Sequence, residues 1–88
     1  MYTEEIKIAI DFINKNKTNT IIHNLLSKLR GMWDDTHSNR WSYAYDVIYD
    51  NFPRSEVPRE VVTGLVYLTE DYNYTFVFGC NEVNIVIN

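Results

Sequence analysis

The apolar period changes along this chain. Up to Phe52 hydrophobic residues recur every three or four positions, and after Tyr74 they alternate. Ile6, Ala9, Ile10 and Ile13 keep helical spacing, as do Ile22, Leu25, Leu26, Leu29 and Trp33. Such stripes give each helix one side to bury. "YTFVFG" and "VNIVIN", separated by "CNE", instead put Phe76 with Phe78, and Val83 with Ile85 and Ile87, on single faces of strands. A lone hairpin is barely stable in water, so it must pack on the helices. The expected class is α+β: three to four N-terminal helices packed against a small C-terminal antiparallel hairpin or three-stranded meander.

Local signals set the boundaries. Thr3 can cap the first helix, and Glu4 and Glu5 fall where the helix dipole favours negative charge. "NKNKTN" ends that helix with its lysines near the C-terminus. A second helix begins near Thr18 or Asn19, and Gly31 either ends it or weakens its last turn. "DDTHSN" is a turn-former that offers Asp34, Asp35, Thr36 and Ser38 as caps. A third helix covers about 39–51, with Trp41, Tyr45, Ile48 and Phe52 as its core face, and Pro53 stops it. Segment 57–70 reads two ways. Its Val, Thr and Gly favour a strand. Yet Arg59, Glu60, Thr63, Tyr67, Glu70 and Asp71 recur at helical spacing opposite Val57, Val61, Leu65 and Leu68. A fourth helix is the preferred reading; a strand there would turn the hairpin into the meander.

The 88 residues are expected to form a single compact domain, 1–88. A chain of this size buries only about 60–65% of its unfolded surface. Its core should therefore lean on aromatic rings, each contributing about 2–3 kcal/mol when buried. Net charge is −4, and the eight Lys and Arg are scattered. Direct nucleic-acid binding is not expected, because phosphate contacts need clustered cations. The acid excess suits a basic protein partner. Cys80 is the single cysteine, and "MYTEEIKIAI" is acidic where a signal peptide is basic, so a cytoplasmic setting is expected. No apolar run approaches the roughly 20 residues of a membrane span, so no membrane role is expected. Abundant Asn, Ile, Lys and Tyr, which AT-rich codons encode, point to a bacterial or phage gene.

The reactive side chains fall into no catalytic spacing. Asp34, Asp35 and His37 offer oxygen and nitrogen ligands but match no ligand motif, and a capping turn is the plainer account. Neither a nucleophile elbow, a phosphate loop nor a dinucleotide fingerprint occurs. An enzyme is not expected, nor a cofactor or metal. Cys80, His23 and His37 should each be dispensable for activity.

The densest concentration of recognition side chains is "GMWDDTHSNRWSYAYDVIYD", Gly31 to Asp50. It holds both tryptophans, three of the seven tyrosines and four aspartates. With the Trp41 stripe turned inward, Tyr43, Asp46, Tyr49 and Asp50 take the other sides of the third helix, preceded by Asp34 and Asp35. "TEDYNY" repeats the pattern with Glu70, Asp71 and Tyr72. Tyr and Trp are enriched at binding hot spots, and Asp complements Lys and Arg. These nine residues are the candidate partner-binding set. The pattern resembles in style, with no shared motif, the binding surfaces of small bacterial and phage inhibitors and immunity proteins. That resemblance implies a module that neutralises a basic partner (a nuclease, a toxin or another nucleic-acid enzyme) by steric occlusion, with local phosphate mimicry as a variant. The alternative is an assembly subunit that self-associates through its aromatic surface, for instance as a homodimer. A small enzyme or metal protein ranks third.

Overall fold

Among the described residues four helices precede two strands: α1 Thr3–Lys15, α2 Thr20–Asp34, α3 Arg40–Asn51, α4 Arg59–Glu70, β1 Tyr74–Phe78 and β2 Val83–Ile87. The computed structural model describes residues 3–34, 40–80 and 82–88, the side chains of 32–34 and 40 excepted. The layout is α+β with a hairpin rather than a meander, because 59–70 is helical.

The helix boundaries follow from the sequence. α1 begins at Thr3 with Glu4 and Glu5 in its first turn and Lys15 in its last. The Asn16 side-chain amide donates to the Phe12 carbonyl at 2.9 Å and closes the helix end. Asn19 caps α2, its Oδ1 accepting from the Ile21 N–H at 2.9 Å. Gly31 does not end α2, which runs on to Asp34. Ile22, Leu25, Leu26 and Leu29 are all fully buried, as their spacing predicts. α4 follows Pro58, whose missing N–H costs nothing at a helix start.

α4 is the centre of the molecule. Val61, Val62, Gly64, Leu65, Val66, Leu68 and Thr69 are buried, so helices close over most of its circumference. The buried Thr69 hydroxyl donates to the Val66 carbonyl at 2.9 Å. α1 crosses α4 where Ala9 meets Gly64. This central burial explains the ambiguity of 57–70. A helix apolar on most sides keeps only a narrow polar stripe to identify it, and its valines mimic a buried strand.

β1 and β2 pair antiparallel, with Tyr74 opposite Ile87, Phe76 opposite Ile85 and Phe78 opposite Val83. Val83 is buried against the helices, and its N–H donates to the Lys17 carbonyl at 3.0 Å. His23 Nε2 donates to the same carbonyl at 2.7 Å. Lys17 also meets Glu82 at 3.5 Å. The turn between α1 and α2 thus holds one end of the hairpin. Arg30 holds the other, donating from Nη2 to the Tyr74 carbonyl at 3.0 Å.

Candidate interaction surface

α3 corrects the sequence reading of its faces. Its buried centre is Ala44 and Ile48, not the whole Trp41–Phe52 stripe. Trp41, Tyr45 and Phe52 are half-buried on one flank, and Tyr43, Val47 and Tyr49 are half-buried as well. Tyr43 and Tyr49, expected to project outward beside the aspartates, therefore pack against the core cluster. Small Ala44 lets α3 settle deeply, which draws the rings on both flanks into contact. Tyr49 acts as a strut. Its hydroxyl donates to the Val57 carbonyl at 2.8 Å, its ring stacks on Tyr45 at 6.0 Å, and the Arg54 guanidinium lies 4.2 Å from its centroid. Arg59 stands 5.6 Å from the Tyr45 ring.

Asp46 and Asp50 remain exposed, one helical turn apart on a helix held by those rings. Among the described residues neither is ion-paired; the ion pairs are Lys7–Glu4 and Lys17–Glu82. Glu70, also exposed, ends α4. Asp71 is a cap. Its N–H donates to the Tyr67 and Leu68 carbonyls, and its Oδ1 accepts from the Asn73 N–H at 2.9 Å. Tyr72 is 58% exposed, with the Arg30 guanidinium 4.3 Å from its ring centroid.

The two acidic groups lie on different elements, α3 and the end of α4. Trp41 meets Tyr67 edge-on at 5.5 Å, whereas Tyr49 reaches Val57, so α3 and α4 run antiparallel. Glu70 to Tyr72 therefore sit beside the Trp41 end of α3. Asp50 lies nine residues further along, about 13 Å at 1.5 Å per residue. The side chain of Asp34, and Asp35 and His37 entirely, fall outside the described residues.

The hairpin carries a surface that the sequence reading passed over. Of the large hydrophobics that are exposed, Tyr72, Val77, Phe78, Val86 and Ile87 belong to it or border it. A groove of about 500 Å³ separates β1 from α2, lined among others by Leu26, Ser27, Arg30, Phe76 and Phe78. Arg30 gave no signal in sequence, since the rings and carbonyl it serves lie more than forty positions away.

The Glu82 carboxyl is held below its ordinary 4.5, first by a hydrogen bond from the Asn84 amide and then by the Lys17 charge. Among the described residues no group of three or more His, Cys, Asp or Glu is placed to hold a metal ion, and no helix is long and apolar enough to cross a membrane. Cys80 is free and exposed beyond β1. No family model, curated protein or solved structure matches the chain.

Proposed function

We propose that this chain is a small protein-binding module of bacterial or phage type that blocks a basic partner, such as a nuclease, a toxin or another nucleic-acid enzyme. The observation that carries the reading is the pair Asp46 and Asp50, exposed and without an ion-pair partner among the described residues, on a helix already fixed by its tyrosines. A surface rigid before binding loses little freedom on binding. Exposed carboxylates on a chain of net charge −4 attract Lys and Arg and speed encounter. Any phosphate mimicry is local to these two carboxylates, because Arg54 and Arg59 put positive charge on the Tyr49 and Tyr45 rings of the same helix. Inhibition would be steric. Affinity capture from a bacterial lysate, with wild type and Asp46→Lys, Asp50→Lys in parallel, tests this. The expected result is a basic enzyme retained by wild type, released by salt and absent from the double variant. Equal recovery on both proteins contradicts the reading.

An assembly subunit is the second reading, and the hairpin is the observation that favours it. Neither strand carries a charged side chain, and Val77 and Val86 are each 48% exposed on its outer face. Light scattering separates the two readings, since an inhibitor can act as a monomer and an assembly subunit cannot.

A further inference from the structure

We infer that the groove between α2 and β1 binds an extended peptide segment bearing a carboxylate, which adds to the outer edge of β1 as a third strand and is held at its carboxylate by Arg30. The Gly79 N–H donates to the Glu82 carbonyl at 2.8 Å and the Asn88 N–H to the Asn73 carbonyl at 2.7 Å. Bonded and non-bonded pairs alternate in an antiparallel ladder. The register then makes Thr75–Val86 and Val77–Asn84 the bonded pairs. Tyr74, Phe76 and Phe78 consequently direct their main-chain groups away from β2. Tyr74 is satisfied there, by the Asp71 carbonyl and by Arg30. Phe76 and Phe78 have no main-chain partner on that side among the described residues. No charged side chain of either strand guards the edge, as natural edge strands usually require.

α2 borders this edge without closing it. His23 lies 5.9 Å ring to ring from Phe78, and the Arg30 guanidinium lies 5.0 Å from the Phe76 centroid. α2 therefore runs antiparallel to β1, with Leu26 and Ser27 between those contacts, over a groove of about 500 Å³. Tyr74 to Phe78 spans about 13 Å, room for a strand of about five residues. Main-chain bonds to the edge would give affinity, and the groove would take alternate side chains.

Arg30 sets the chemistry of the occupant. Its guanidinium lies 4.3 Å from the Tyr72 ring centroid and 5.0 Å from that of Phe76, which limits where its fork can point. One Nη bonds the Tyr74 carbonyl, and among the described residues no carboxylate pairs with it, although the chain has twelve. The remaining donors of the fork suit a bidentate carboxylate. A second copy fits less well. Two copies bring −4 against −4, and neither strand of the hairpin offers a carboxylate to Arg30. The site is separate from the α3 face, and either can fail without the other.

The test titrates the full chain, ¹⁵N-labelled, with acetylated hexapeptide amides of valine, threonine and serine. One Asp is moved through each position, and each peptide has an Asn counterpart. At least one Asp peptide should bind with Kd below about 1 mM. It should shift the Phe76 and Phe78 amides and slow their hydrogen exchange. The Asn counterpart should bind about tenfold more weakly or worse. Alternate N-methylation of the Asp peptide, which removes its ladder donors, should abolish binding without any change to the protein. Arg30→Gln should bind the Asp and Asn peptides alike. The inference is overturned by no binding at about 1 mM, by equal affinity for Asp and Asn peptides, by shifts that avoid β1, or by a dimer that itself protects Phe76 and Phe78.

Discussion

Gly64 of α4 lies so close to the Glu5 carbonyl of α1 that a β-carbon at position 64 would overlap it, and would stand 2.9 Å from the Ala9 Cβ. The obstacle is backbone, which cannot rotate aside. Ala favours a helix over Gly by about 1 kcal/mol. At this crossing that gain is outweighed by overpacking, which costs about 1–3 kcal/mol and more when backbones must part. Gly64→Ala should therefore lower the melting temperature by about 4–8 °C per kcal/mol lost. Gly31 is the internal control, since an added methyl there meets nothing within 4 Å. Gly31→Ala should raise stability by about 0.5–1 kcal/mol. Calorimetric melts of both variants check the contrast.

Tyr49→Phe keeps the ring and removes the hydroxyl that donates to Val57. The Val57 carbonyl then loses a part-buried partner. The expected loss is about 1 kcal/mol, read from the urea midpoint at unchanged slope. A midpoint equal to wild type would show that the strut between α3 and the 57 segment is not needed.

The Glu82 carboxyl is lowered by Asn84 and Lys17, so ionised Glu82 favours the folded state. A depressed folded value gives stability that is full above the unfolded value and is lost as pH falls through the folded one. Glu82→Gln should therefore be slightly less stable than wild type at neutral pH. The difference should vanish once pH is well below the ordinary 4.5. Urea midpoints of both proteins from neutral to acid pH give the answer. The Glu82 side chain is 44% exposed and its ion pair faces solvent, so the effect is small.

Val77 and Val86 share the outer face of the hairpin, away from the core. Replacing both with Lys should leave the fold intact, as surface changes usually move stability by less than about 0.5 kcal/mol each. Light scattering should give the monomer mass of 10.4 kDa before and after. A larger wild-type mass that falls to the monomer value in the double variant would move the functional reading to assembly.

The helical stripes of α1 and α2 were legible because each has one buried side, and Ala9, Ile13 and the four α2 residues lie where their spacing puts them. The hairpin was legible because its alternation is local. α3 was misread for a physical reason. Its buried centre pairs Ile48 with Ala44, which carries little hydrophobic weight, while the large tyrosines beside them are amphipathic and fit half-buried sites as well as open ones. Of the candidate residues, Asp46, Asp50 and Glu70 are exposed as expected, whereas Tyr49 and Asp71 have structural tasks. Arg30 was invisible because its role depends on a strand distant in sequence.

The proposed function requires the outward carboxylates of α3 to meet a basic partner. Isothermal titration calorimetry of the captured partner against wild type and Asp46→Lys, Asp50→Lys tests it most directly, with circular dichroism as the folding control. Both aspartates are exposed, so the fold should survive. Affinity should fall by about tenfold or more, which is 1.4 kcal/mol. The loss should shrink as salt rises and screens the attraction. Unchanged affinity in a folded double variant would contradict the account and leave α3 as a structural helix.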